Sequence, residues 1–113
     1  MHKIEMRPYG PGVDADFVHT DRVTLAFWLV EEGTPVPPHS HENEQIVNVL
    51  EGELEFTIDG VTEVLGPGCV AVVPSGAEHS GRALSDCRII DTFQPRQTQF
   101  ALPGHSGQGK GSA

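Results

Sequence analysis

Two histidines one residue apart, His39 and His41, follow a proline-rich stretch in the string GTPVPPHSHENEQIVNVLEG, residues 33–52, and Gln45 comes four residues after His41. In an extended chain, side chains two apart share a face. His39, His41 and Gln45 therefore have one parity, and the two imidazoles can point at a single atom. Neutral imidazole is the commonest metal ligand among side chains, so the first chemistry this spacing offers is metal binding. Glu44 has the opposite parity, but residues 42–44 can loop, and parity alone leaves Glu44 open beside Gln45. A third histidine has to come from another part of the chain, and His79 stands three residues after Gly76.

The elements that must carry these residues read as short strands. Val23–Val30 is apolar on both faces, with Val23, Leu25, Phe27 and Leu29 on one side and Ala26, Trp28 and Val30 on the other. A strand of that kind is buried on both sides, which predicts either a second subunit against its outer face or cover from the N-terminal arm. The run Ile46–Leu50 follows the histidines. Glu53–Ile58 alternates, with Leu54, Phe56 and Ile58 inward and Glu53, Glu55 and Thr57 outward. Asp59-Gly60 is a hairpin signal, and Val61–Leu65 is the return strand. Cys69–Val73 reads as a buried strand after the turn Gly66-Pro67-Gly68. Cys87–Phe93 is the last long strand, with Ile89, Asp91 and Phe93 on one face. Turn signals every eight to twelve residues and no useful helical period predict an all-β sandwich or barrel. Residues 1–21 are expected to be an arm or edge strand, 22–100 the barrel, and 101–113, rich in glycine and serine, a flexible tail.

The 113 residues make one domain. Seven basic against sixteen acidic residues give a net charge of −9, and such a surface repels phosphate backbones and anionic lipid, so neither nucleic acid nor membrane is an expected partner. No apolar run reaches the roughly 18 residues of a membrane span, and the first residues lack the apolar centre of a signal peptide, which predicts a cytoplasmic protein. Cys69 and Cys87 form no CxxC pair and are expected to be small core residues.

Gly33, His39, His41, Gln45 and Gly52, with intervals of five, one, three and six residues, resemble the first motif of the cupin superfamily. Gly68, Pro74, Gly76 and His79, with intervals of five, one and two, resemble its second. The resemblance covers roughly residues 22–96. It implies a cupin double-stranded β-helix, or jelly-roll barrel, holding one divalent transition metal (zinc, nickel, iron, cobalt or manganese) through His39, His41, Gln45 and His79. Two positions depart from the pattern: the usual glutamate is Gln45, and the second motif's later asparagine is Ala83. Gly52 sets the register that makes Gln45, rather than Glu44, the third ligand. Three neutral imidazoles and a neutral amide leave the full charge on a divalent ion. That favours Lewis-acid chemistry over oxygen activation.

The strings HSHENEQIVNVLEGELEFTI, VPSGAEHSGRAL and IIDTFQPRQTQF further resemble the small cupins of pectin and alginate breakdown, which convert 4,5-unsaturated monouronates to linear keto forms. In that resemblance Asp91 and Phe93 line the pocket and are needed for activity. Opening such a ring requires a proton at the enol-ether carbon and loss of the proton on the hemiacetal hydroxyl, and a carboxylate on the metal's face of the barrel can shuttle it. Asp91 is the candidate, because an unpaired aspartate in mid-strand is costly; the plain alternative is an ion pair with Arg88 or Arg96. Phe93 is an apolar wall or simply core. Arg96 or Arg82 can hold a substrate carboxylate through a bidentate fork, or be surface charge. The expected activity is therefore non-redox isomerisation of an anionic sugar acid by a homodimer. An iron- or nickel-dependent dioxygenase and a non-catalytic small-molecule-binding module are the competing readings.

Overall fold

The computed structural model describes residues 1–100, and the expected tail at 101–113 lies outside them. Ten strands and no helix make up the described chain: β1 (Arg7–Gly10), β2 (Val13–His19), β3 (Thr24–Val30), β4 (Pro35–His39), β5 (Glu44–Glu51), β6 (Leu54–Ile58), β7 (Val61–Leu65), β8 (Val70–Val73), β9 (His79–Ala83) and β10 (Cys87–Gln94). They form two antiparallel sheets. One has six strands in the order β1-β2-β3-β10-β5-β8, and the other has four in the order β4-β9-β6-β7. The all-β jelly roll is thus the architecture, and its core lies between the inner faces of the two sheets.

Local sequence explains each corner. At Asp59-Gly60 both residues have positive φ, 46° and 82°, as a two-residue hairpin loop between right-twisted strands requires. Gly52 joins β5 to β6 at φ 84°, where a Cβ would sit 2.1 Å from the Asp86 carbonyl oxygen, so only glycine fits. Along β10 every second residue (Cys87, Ile89, Asp91 and Phe93) is buried. β10 runs between β3 and β5, with Asp91 opposite Ala26 and Val47, and Phe93 opposite Thr24 and Gln45. This register puts β10 side chains against both the Trp28 strand and the Gln45 strand.

Two expectations are corrected and one is sharpened. Of the arm or edge strand expected over residues 1–21, residues 7–19 form two strands of the large sheet: β1 is its edge, and Ala15 and Phe17 of β2 belong to the core. The intervening Asp16 hid the pattern, because an acidic residue in a buried strand reads as polar chain. Cys69–Val73 is not buried on both faces, since β8 is an edge strand and Val70 and Val72 are exposed. Cys69 is likewise exposed at the turn before β8, whereas Cys87 is buried.

Candidate metal centre

His39 ends β4, His79 begins β9, and these two residues are ladder partners. His41 lies in the loop between β4 and β5, held by a hydrogen bond from the Gly76 amide to its carbonyl, 2.9 Å. The second motif's turn therefore fastens the first motif's loop. The ring centroids of His39 and His79 are 4.2 Å apart and those of His41 and His79 4.8 Å. One nitrogen from each ring lies within 4.8 Å of the others, slightly more than twice a metal–nitrogen bond of about 2.1 Å.

The tautomer of each ring follows from its neighbours. The Nδ1 atoms of His39, His41 and His79 face the carbonyl oxygens of Pro37, Asn43 and Ala77, at 2.9, 3.0 and 3.0 Å. A carbonyl oxygen only accepts, so every Nδ1 carries the hydrogen and donates. Every Nε2 of a neutral ring is then a bare lone pair, as a metal ligand needs to be. Two further observations fit a cation. The Nε2 of His79 is buried with no hydrogen-bond partner among the described residues. The Nε2 of His41 lies 3.0 Å from Oε1 of Gln45, so two acceptors face each other with nothing between them to donate. Burial, the first cause, and the nearby His39 and His41 charges push the His79 ring down to about 4. It is therefore neutral, and available as a donor, well below neutral pH.

Gln45 is buried and Glu44 is exposed. The Gln45 amide is turned by its other end, where Nε2 donates to Oδ2 of Asp91, 3.1 Å. The same Oδ2 accepts from Nε1 of Trp28, also 3.1 Å, while Oδ1 of Asp91 is buried without a partner among the described residues. Asp91 therefore pairs with neither Arg88 nor Arg96; Arg88 instead sits 3.6 Å from Glu51. Burial raises the Asp91 carboxyl to about 7, partly opposed by the bonds from Trp28 and Gln45. Phe93 is buried, with its ring edge-on to His41 at 5.6 Å. Arg82 and Arg96 are both exposed, and neither lines the cavity beside the histidines.

That cavity, about 80 Å³, is bounded by His39, Gln45, His79 and Asp91 and otherwise by apolar side chains, among them Trp28, Val36, Val47, Leu54, Phe56 and Ile89. Among the described residues, no lysine or arginine lines its walls. Sequence reasoning missed Trp28 as a partner of the site, although a buried indole N–H usually finds an acceptor. It also missed Asn43, Gln97 and Phe100, all three of them buried.

The Cupin_2 family model, described as the cupin domain, matches residues 26–93. The chain belongs to the cupin family. Among solved structures, this cupin is similar to KdgF from Halomonas sp., at 30% identity with a TM-score of 0.79 over 83% of this chain and 88% of that one. It is also similar to an RmlC-like cupin from Shewanella frigidimarina, at 26% identity with a TM-score of 0.81 over 86% and 88% of the two chains. Salicylate 1,2-dioxygenase from Pseudoaminobacter salicylatoxidans shares the fold at 20% identity and a TM-score of 0.71, with 75% of this cupin covering 26% of that chain. The HTH-type transcriptional regulator NimR of Escherichia coli is 23% identical over 93 residues, and the match spans 33% of the regulator's length.

Proposed function

We propose that this cupin is a divalent-metal, non-redox isomerase that opens unsaturated uronates to their linear keto form. The observation that carries the reading is the facing pair of acceptors, His41 Nε2 and Gln45 Oε1, 3.0 Å apart beside the partnerless His79 Nε2. His39, His41, Gln45 and His79 would hold the metal. When bound, it supplies a positive centre that polarises a substrate oxygen and stabilises developing negative charge. All four donors are neutral, which leaves that charge undiminished and weighs against the dioxygenase reading. The motif strings resembling uronate-linearising cupins, together with the 30% identity to KdgF over most of both chains, support the substrate class.

The remaining roles fall to the chain's own side chains. Asp91 Oδ2 is occupied by two N–H donors, so Oδ1 is the atom free to give or take a proton. Ring opening breaks the bond between the anomeric carbon and the ring oxygen and releases the hemiacetal hydroxyl proton. The anomeric carbon becomes an aldehyde, the former ring oxygen becomes the oxygen of a ketone, and the other carbon of the enol-ether double bond gains the proton. Composition is unchanged, and one carboxyl group suffices to move the proton. Phe93 and the apolar walls exclude water from the reacting face. Arg96, exposed on the segment after β10, is the cation assigned to the substrate carboxylate, by reaching in from outside the cavity walls.

Metal analysis and melting curves test the centre. Purified protein is expected to carry one metal per chain. Free metal at 100 times Kd is expected to add about 2.7 kcal/mol of stability, or roughly 10 °C in Tm for a domain of this size. Protein that holds no metal and gains no Tm from zinc, nickel, iron, cobalt or manganese removes the reading.

A homodimer is part of the proposal. Two rows of outward side chains cross four strands of the large sheet, β3, β10, β5 and β8: Leu25–Thr92–Ile46–Val72 and Phe27–Ile90–Asn48–Val70. They carry no charge, and Ile46, Val70 and Val72 are exposed. The N-terminal arm reaches only the β2 end, where His2 and Glu5 bond to Asp16. In a chain of net charge −9, an uncharged, largely apolar patch on a sheet face suits a second copy.

A further inference from the structure

The loop that carries His41 is fastened from a part of the chain outside both cupin motifs. Asn43 lies between His41 and Gln45, and its backbone carbonyl takes the His41 Nδ1 hydrogen. Its side chain, though polar and in a loop, is buried and bonded at both ends. Nδ2 donates to the carbonyl of Pro95, and Oδ1 accepts from Nε2 of Gln97 at 3.1 Å. Gln97 is itself buried and held twice more: its Oε1 accepts from the Gln99 amide at 3.1 Å, and its own amide donates to Oγ1 of Thr24 at 2.9 Å. Each amide has one orientation that fits, because the Pro95 carbonyl can only accept and the Gln99 amide can only donate. Phe100 then anchors the segment. Its ring lies 5.2 Å from Phe17, 5.5 Å from Trp28 and 4.9 Å from Phe93, and Phe93 in turn touches His41.

We propose that Asn43 is a positioning residue for His41, and that the segment Pro95–Phe100 is the clamp that holds Asn43. The proposal rests on the metal-centre reading for its purpose, but not for its test. Outer partners of metal ligands commonly change affinity by about 10- to 100-fold when lost, and here the partner of the His41 ring is set by a carbonyl whose residue is tied to the C-terminal segment. Without the clamp, residues 40–43 have the Gly76 contact but no ladder, and the His41 ring loses its fixed tautomer.

The test uses the full chain with Asn43→Ala, Gln97→Ala and the double variant, and Leu65→Ala as a destabilised control remote from the clamp. In metal-free protein, imidazole nitrogen NMR is expected to show His41 as a single Nδ1–H tautomer in the wild type and the control. Both single variants are expected to show averaged tautomers. In zinc competition titrations, each single variant is expected to lose about 10-fold or more in affinity. The double variant is expected to lose less than the product of the two, because both changes break one connection. A His41 tautomer that survives both single substitutions, or wild-type zinc affinity in both, overturns the proposal. A wild type that binds no zinc removes the metal-centre reading, and the NMR comparison still decides whether Asn43 positions His41.

Discussion

His41 Nε2 and Gln45 Oε1 stand 3.0 Å apart as two acceptors, because His41 has committed its only hydrogen to the Asn43 carbonyl and Gln45 has turned its NH₂ to Asp91. The proposed metal, shared by both atoms, would resolve that contact. Gln45→Ala is therefore expected to weaken metal binding by at least about 10-fold, whereas Glu44→Ala, at an exposed position, should stay within about twofold. Competition titration against a chromophoric chelator measures both, and the reverse order of effects would show that Glu44 is the ligand.

Among the described residues Asp91 is hydrogen-bonded to Gln45 and Trp28 and to no histidine. Asp91→Asn keeps an acceptor for the Trp28 and Gln45 N–H groups and removes the proton carrier. Metal content is expected to remain at the wild-type level while turnover falls by about 10²- to 10⁴-fold. Steady-state rates on metal-replete variant measure this, and retained turnover would make Asp91 a structural partner of Trp28 and Gln45 only.

Acid should release the N-terminal arm. Burial by itself raises the Asp16 carboxyl, but hydrogen bonds from the Glu5 amide, His2 and the Phe17 amide outweigh it and hold the group below its ordinary value. Folding thus favours the ionised form. Its contribution to stability is complete above the unfolded pKa, about 3.9, and disappears as the pH falls through the lower folded value. Denaturant midpoints of wild type and Asp16→Asn should differ at about pH 7 and converge by about pH 2. A gap that is the same at both would remove the linkage.

Val72 is exposed on the edge strand β8, at one end of the uncharged row Leu25–Thr92–Ile46–Val72. Val72→Lys should therefore leave the fold intact and convert a dimer to a monomer, as light scattering after gel filtration would show. A wild type that is already monomeric at micromolar concentration contradicts the proposed interface.

The sequence made the barrel legible because its corners are chemically explicit: Asp59-Gly60 can only be a tight hairpin, and Glu53–Ile58 alternates without a break. The pairing of His39 with His79 was not legible from spacing, since 40 residues and four strands separate them, and only the resemblance to the cupin motifs joined them. Parity left Glu44 beside Gln45 because residues 40–43 leave the ladder, and no local pattern reports how a loop turns. Asp16 concealed β2 for a related reason. Its carboxylate is satisfied by a backbone amide eleven residues away, a compensation invisible in a string of letters. Phe100 stood next to a glycine-rich tail, and its place among Phe17, Trp28 and Phe93 depends on tertiary packing alone.

The central claim is metal-dependent opening of an unsaturated uronate, and one assay reaches it directly. Lyase-generated unsaturated galacturonate is incubated with metal-loaded protein, with protein stripped by chelation, and with no protein, and the loss of double-bond absorbance is followed. The account predicts rapid loss with the loaded protein, return to the uncatalysed rate after stripping, and recovery when metal is restored. Equal decay in all three would contradict it.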